Sequence, residues 1–157
     1  MADGRLRSWL QDYSKLLKLG PAIWPDLCRA IFELALARYR LGAHSPKQLL
    51  KLAQQNSQQT PTTSQADHFA ARVAFAIPRV AVRLPWRADC WIQAMAAQRW
   101  LRSKGIVSQL TSGTRKDLHG AFQAHAWLTC NGAIITGGDI SGYVPLVTPE
   151  SELPRVV

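Results

Sequence analysis

Residues 121–140 read "AFQAHAWLTCNGAIITGGDI" and carry the strongest secondary-structure signals in the second half of the chain. The segment 121–129 alternates well enough to predict a strand. Its residues on one face are Gln123, His125, Trp127 and Thr129. Asn131-Gly132 is a strong hairpin signal, and "AIIT" (133–136) returns as the partner strand. The pattern predicts a small antiparallel sheet with a histidine in an apolar strand.

A helix precedes this hairpin. Asp89 is placed as the N-cap of a helix that runs from Cys90 to about Lys104, and Gly105 is placed as its C-terminal glycine. The following "IVSQLT" (106–111) is a strand candidate, and "SGTRKDLHG" reads as a polar loop. The second half of the chain is therefore predicted to be a helix followed by a sheet.

The first half of the chain reads as a series of amphipathic helices. The first is predicted to end before Gly20, the second covers residues 21–41, and a third, short helix starts at Ser45. The apolar stripe of the second helix is Ile23, Leu27, Ile31, Leu34 and Ala35. We expect Gly42 to stop this second helix and Cys28 to lie in the core.

A change in composition divides the chain. The polar stretch "QQNSQQTPTTSQ" (54–65) predicts a linker, assigned to residues 55–66, between a helical region (1–54) and a C-terminal core (67–157). Just after it, "ADHFAARVAFAI" is predicted to be helical until Pro78. The predicted class is α+β, with N-terminal helices followed by a cysteine-bearing helix packed on a small antiparallel sheet.

The charge of the chain points to an acidic partner. Lysine and arginine outnumber acidic residues by 19 to 10, for a formal charge of +9. The partner is a nucleic acid, an anionic membrane surface, or an acidic protein or peptide. Nucleic acid ranks low because no recognition motif accompanies the charge. The basic N-terminal helices form either a solvated face or a docking surface for an acidic peptide or its carrier.

Cysteine usage and apolar runs restrict the setting of the protein. Three widely spaced cysteines suggest neither a disulfide framework nor a zinc site, and no cofactor is indicated. No secretory signal and no run of about 18 apolar residues occurs, which predicts no transmembrane segment. These features favour a reducing, cytoplasmic setting.

Cys90 and His125 are the candidates for catalysis. The positive end of the helix dipole favours a thiolate in the first helical turn, where Cys90 is placed. His125 on a rigid strand suits a general base, and Asp139 is placed to orient the imidazole. The structural alternatives are a small buried cysteine and a core histidine. His119, in the polar loop, is a rival base.

The hairpin makes the role of Asp139 testable. A two-residue turn at Asn131-Gly132 would place Asp139 on the face opposite His125. A three-residue loop that includes Cys130 would place the acid on the face of the histidine. A catalytic role for Asp139 therefore requires the longer loop, or a bulge at Gly137-Gly138.

Two stretches carry a family resemblance. "LPWRADCWIQAMAAQRWLRSKGI" followed by "AHAWLTCNGAIITGGD" resembles the leader peptidases of lasso-peptide biosynthesis, whose core is transglutaminase-like. The resemblance spans residues 84–145. It implies a transglutaminase- or papain-like core in which Cys90 is the nucleophile, His125 the general base and Asp139 the orienting acid. It departs from the family at Trp91, where leucine is commoner.

The resemblance also implies a reaction and its partners. The substrate would be a ribosomally made precursor peptide, from which the protease removes the leader. A small leader-binding protein and an ATP-dependent cyclase, which closes the macrolactam, would act with it. Some family members carry the leader-binding module at the N-terminus. Here the N-terminal part reads as helices and lacks the strands such a module needs, so a separate partner is expected.

Three residues are candidates for substrate contacts. Trp127 shares the face of His125 and can wall the groove, Gln123 shares that face and can assist an oxyanion hole, and Trp91 follows the nucleophile. The backbone N–H of Cys90 is the stronger oxyanion donor on physical grounds. Two other functions stay open: a transglutaminase-like acyltransferase or amidase, and a non-catalytic module that binds a peptide or partner.

Overall fold

The computed structural model describes residues 20–43, 64–116 and 120–147. The predicted first and third helices, most of the predicted linker and His119 lie outside these residues, so those expectations stay predictions. The division into a helical region (1–54), a linker (55–66) and a core (67–157) also stays a prediction.

Helix α1 covers Trp24–Ala43 and follows a single 3₁₀ turn at Pro21–Ile23. Proline suits such a start because its fixed φ matches a helix and the first turn needs no N–H from it. The helix passes through Gly42, so the expectation that this glycine stops it is wrong. Glycine weakens a helix by only about 1 kcal/mol, which its last turn tolerates.

The buried face of α1 differs from the predicted stripe. Its buried apolar side chains are Leu27, Ala30, Leu34 and Ala37. Ile31 and Ala35, assigned to the stripe, are exposed, and Cys28, expected in the core, is exposed as well. Alanines do not stand out in a hydropathy pattern, yet they occupy buried helix contacts because they let helices approach closely.

Helix α2 covers Ser64–Ala81 and includes Pro78 near its C-terminal end. The prediction that the helix stops at Pro78 is wrong. A proline there removes one hydrogen bond, and the turn that continues past it buries Val80 and Ala81 in the core.

Helix α3 covers Cys90–Arg102 and begins where the sequence predicts. It ends two residues before the expected Lys104. Gly105 follows with a φ of +70°, and its N–H donates to the carbonyl of Arg102 at 2.9 Å. The positive φ favours glycine, which confirms its predicted place after the helix.

The four strands form one antiparallel sheet in the order β3-β2-β1-β4. They are β1 (Gln109–Lys116), β2 (Phe122–Cys130), β3 (Ala133–Thr136) and β4 (Val144–Val147). Strands β2 and β3 lie where predicted. The strand predicted over 106–111 is present but displaced, because β1 starts at Gln109 and, by pairing with β2, continues through Lys116 into the expected polar loop. Strand β4 is not predicted; its Pro145 is tolerated because β4 lies at an edge.

Helices α2 and α3 pack on one face of the sheet, and α1 packs against these two helices. Strand residues that join the helical core are Leu110, Leu128, Cys130 and Ile135. Because side chains alternate along a strand, His125 and Trp127 project from the other face of β2. The predicted α+β class, with a cysteine-bearing helix against a small antiparallel sheet, is confirmed.

Candidate active site

Cys90 is the first residue of α3 and is partly buried. The first helical hydrogen bond runs from the N–H of Gln93 to the carbonyl of Asp89, at 3.0 Å. The N–H groups of the first turn have no partner within the helix, and the helix dipole is positive there. The thiol therefore lies where backbone donors and the dipole both favour an anion.

Asp89 occupies the N-cap position, but its side chain makes no capping hydrogen bond. The predicted N-cap position of Asp89 is therefore confirmed, without the side-chain hydrogen bond that usually accompanies it. The carboxylate lies 3.3 Å from Nε of Arg87, and both side chains are exposed. Arg87 thereby offsets the negative charge that Asp89 would set against a thiolate, although the effect of an exposed pair is small.

His125 is held by a backbone carbonyl. Its Nε2 lies 2.7 Å from the carbonyl oxygen of Gly137, and the side chain is partly buried. A carbonyl oxygen only accepts hydrogen bonds, so Nε2 carries the proton of the neutral ring. Nδ1 is then the proton-accepting nitrogen. It has no hydrogen-bond partner within residues 20–43, 64–116 and 120–147.

Asp139 is exposed and turned to its own loop. Its Oδ1 accepts a hydrogen bond from the N–H of Ser141 at 2.9 Å. Hydrogen bonds from the hydroxyl and the N–H of Ser141 lower the pKa of Asp139, and the charge of Arg115 adds to the effect. Among the described residues no hydrogen bond joins Asp139 to His125.

The turn of the hairpin is shorter than a catalytic Asp139 was expected to require. Cys130 pairs with Ala133, which leaves a two-residue turn. Its residues Asn131 and Gly132 have φ values of +49° and +77°, as such tight turns need. Of the two arrangements that a catalytic Asp139 was expected to require, the three-residue loop is therefore not the one that forms.

Beyond the pair of Thr129 with Ile134, a β-bulge shifts the register between β2 and β3 by one residue. Leu128 pairs with Thr136, so Ile135 is the extra residue in β3. The bulge lies within β3, before the predicted position at Gly137-Gly138. A Cβ built on Gly137 would lie 2.4 Å from Cβ of Trp127, so Gly137 lies directly against Trp127.

Two aromatic rings flank the imidazole. Tyr143 lies 5.0 Å from His125 between ring centroids, and Trp127 lies 6.3 Å from it in a stacked arrangement. Trp127 is buried on the face of His125, and its ring covers Gly113, where a Cβ would lie 2.7 Å from the indole. The sequence analysis missed Tyr143, although a tyrosine after Gly142 and before a β-prone run was an available signal.

The other proposed substrate residues are placed as follows. Gln123 is exposed, and its Oε1 accepts hydrogen bonds from Arg115 at 3.2 Å. Arg115 also stacks on Tyr143, with the guanidinium carbon 4.6 Å from the ring centroid. Trp91 is partly buried and packs against the core. Their roles in substrate binding stay predictions.

The structure brings together His125, Trp127, Gly137 and Tyr143. His125 projects from the face of β2 opposite the one that packs on the helices, whereas Cys90 begins the helix α3 on the other side of the sheet. No hydrogen bond joins the Cys90 thiol to His125 in the part of the chain that the structure describes.

Within the described ranges, no group of three or more histidine, cysteine, aspartate or glutamate residues is placed to hold a metal ion. No helix among the described residues is both long enough and apolar enough to cross a membrane.

Comparison with protein families adds the decisive observation. Residues 30–148 match the transglutaminase-like superfamily, a span that runs from within α1 to just beyond β4. The chain belongs to this superfamily. No curated protein and no solved structure gives a significant match. Transglutaminase-like domains include cysteine peptidases and acyltransferases, so membership is consistent with acyl-transfer chemistry.

Proposed function

We propose that this transglutaminase-like protein is a cysteine peptidase that removes the leader from a lasso-peptide precursor. The observation that carries the proposal is the hydrogen bond from Nε2 of His125 to Gly137, at 2.7 Å. It fixes the tautomer in which Nδ1 accepts a proton, as a general base must. The superfamily match and the resemblance of the "AHAW" and cysteine-helix stretches to leader peptidases support the reaction and substrate class.

The proposed reaction has two acyl-transfer steps. The first step requires the Cys90 thiol to reach the imidazole, which projects from the other face of the sheet. In this step Nδ1 of His125 takes the proton of Cys90, the sulfur bonds to the scissile carbonyl carbon, and the C–N bond breaks. The leaving amine takes the proton from His125, and a thioester remains. In the second, His125 takes a proton from water, the oxygen attacks the thioester, and the acid leaves as the thiol is restored. Backbone N–H groups at the start of α3 stabilise the oxyanion.

Asp139 and the partner proteins complete the proposal. Asp139 supplies a negative charge on the loop that follows β3, which favours the imidazolium formed during each step. The low pKa of this carboxyl keeps it charged at neutral pH. A separate leader-binding protein delivers the acidic leader, and an ATP-dependent cyclase closes the macrolactam on the released core peptide.

An acyltransferase or amidase is the second candidate, because the superfamily match supports it equally. The same residues would then pass the acyl group from Cys90 to an amine in place of water. A non-catalytic binding module is the third candidate. It is favoured by the absence of a hydrogen bond between Cys90 and His125 within the described residues.

The experiment is mass-spectrometric analysis of the precursor peptide encoded beside this gene, with and without the neighbouring leader-binding protein. Wild type should release free leader and core peptides. Cys90→Ala should lower the rate by at least about 10³-fold, and His125→Ala by about 10²–10⁴-fold. Asp139→Asn should lower it less. Unchanged cleavage by Cys90→Ala would contradict the proposal, and a new amide product would favour the acyltransferase.

A further inference from the structure

We propose that the backbone carbonyl of Gly137, and not the carboxylate of Asp139, is the group that orients His125 before substrate binds. The inference rests on the proposed function insofar as it takes His125 to be the base. Nε2 of His125 lies 2.7 Å from the Gly137 oxygen, a normal length for a strong N–H to O hydrogen bond. The acceptor is thus a neutral main-chain group where the family resemblance implies an acid.

The carboxylate of Asp139 already has partners of its own. Its Oδ1 accepts the N–H of Ser141 at 2.9 Å, and the side chain is exposed to water. These hydrogen bonds stabilise the charged form of Asp139 where it stands. Moving the carboxylate onto His125 would break this turn and displace the Gly137 carbonyl from Nε2. Asp139 therefore acts through the negative charge that it holds on the loop. The carbonyl oxygen of Gly137 fixes the orientation of the His125 ring.

The backbone conformation of Gly137 directs its carbonyl oxygen toward Nε2 of His125. Gly137 has a φ of +113°, which side-chain-bearing residues rarely adopt. A Cβ there would lie 2.4 Å from Cβ and 3.0 Å from Cα of Trp127, so this position has no room for a side chain. The neighbouring Gly138 differs, because a Cβ on it would meet nothing within 4 Å, although its φ is +63°. Gly138 is thus a matched control.

The neighbouring rings limit the other movements of the imidazole. Tyr143 lies 5.0 Å and Trp127 lies 6.3 Å from His125 between ring centroids. With Nε2 tied to Gly137 and two rings alongside, the unpartnered Nδ1 edge is the edge from which a proton can be taken. The carbonyl oxygen of Gly137 is therefore a positioning group that acts through His125.

The test is nitrogen-15 NMR of the full-length protein, which reads the tautomer without any turnover. In the neutral form of the ring, which the nitrogen shifts distinguish from the imidazolium, His125 should carry its proton on Nε2. Asp139→Asn and Gly138→Ala should keep this tautomer and the slowly exchanging Hε2 signal. Gly137→Ala should lose the signal, because its Cβ would push the carbonyl away from Trp127 and His125.

A proton on Nδ1 of His125 in wild type would overturn the inference, and this result does not depend on whether Gly137→Ala folds. Loss of the Nε2–H signal in Asp139→Asn would also overturn it, in favour of the acid. These experiments distinguish a failure of the positioning role of Gly137 from a failure of the proposed peptidase function. If cleavage requires Cys90 and His125 but the ring is protonated on Nδ1, the positioning role alone is wrong. If the tautomer holds but cleavage does not need Cys90, the proposed function is wrong.

Discussion

The carboxylate of Glu33 is fully buried in α1 and lies 2.6 Å from Nε of Arg99 in α3. Its other oxygen lies 2.8 Å from Nε of Arg29, one helical turn earlier in α1. A buried carboxylate is stable only when such partners neutralise and hydrogen-bond it. This pair ties α1 to the helix that begins with Cys90.

Glu33→Gln should therefore destabilise the fold. The substitution keeps the shape but removes the charge that two arginines face, and breaking a buried pair costs about 3 kcal/mol. Urea denaturation measures the loss in the free energy of unfolding. Arg29→Gln is the control, because the Arg29 side chain is 44% exposed and its removal should cost about 1 kcal/mol or less. Equal losses for the two variants would contradict the central role of the buried carboxylate.

Gly113→Ala should loosen the edge of the sheet. The new Cβ would lie 2.7 Å from the Trp127 ring and 2.7 Å from the carbonyl oxygen of Val144 in β4. Such overpacking costs about 2 kcal/mol and should shift the tryptophan fluorescence. Gly105→Ala is the control, since it meets nothing within 4 Å and bears only the cost of its φ of +70°, about 1 kcal/mol. An unchanged fluorescence spectrum for Gly113→Ala would contradict the close contact.

Ser141→Ala should raise the pKa of Asp139 toward its ordinary value. Hydrogen bonds from Ser141 hold this pKa below that value in the folded protein, and the hydroxyl makes the larger contribution. The stabilisation this carboxylate gives the fold is therefore present above its unfolded pKa and is lost as pH falls through the folded one. Carboxyl carbon-13 NMR titration measures the shift. Ser103→Ala, whose hydroxyl donates to Trp100, should leave Asp139 unaffected. An unchanged titration of Asp139 in Ser141→Ala would show that the Ser141 hydroxyl does not lower the pKa of Asp139.

Alkylation should separate the cysteines. Cys28 is exposed and should react with iodoacetamide in the native protein, contrary to its predicted core position. Cys130 is buried, its Sγ lies 3.3 Å from the carbonyl oxygen of Val107, and burial raises its pKa, with the charge of Asp67 adding to the effect. It should react only after unfolding. Peptide mapping reads both sites, and native modification of Cys130 at the rate of Cys28 would count against the described core.

The elements with strong local signals were predictable from the sequence. Asn131-Gly132 fixes the turn between β2 and β3 through two positive φ values, and Gly105 marks the end of α3. Strand β1 was harder to predict from the sequence, because its polar second half forms a strand by pairing with β2. The end of α2 was predicted too early, at Pro78, for a similar reason. The burial of the turn that follows Pro78 outweighs the loss of one helical hydrogen bond.

The candidate residues could be picked from the sequence, but their contacts could not. His125 and Trp127 share a face because strand alternation requires it. The hydrogen bond to the Gly137 carbonyl depends on a bulge at Ile135 and on a positive φ, and neither has a sequence signal that fixes its position. Tyr143 reaches the imidazole through β4, an edge strand that its proline concealed.

The central claim is that Cys90 carries an acyl group to water. The most direct measurement is precursor cleavage in oxygen-18 water, with the new carboxyl group analysed by mass spectrometry for wild type and Cys90→Ala. Wild type should incorporate solvent oxygen into the new carboxyl group of its product, and Cys90→Ala should give no product above background. Cleavage that persists at the wild-type rate in Cys90→Ala would contradict it, as would a wild-type product whose acyl group is joined to an amine without solvent oxygen.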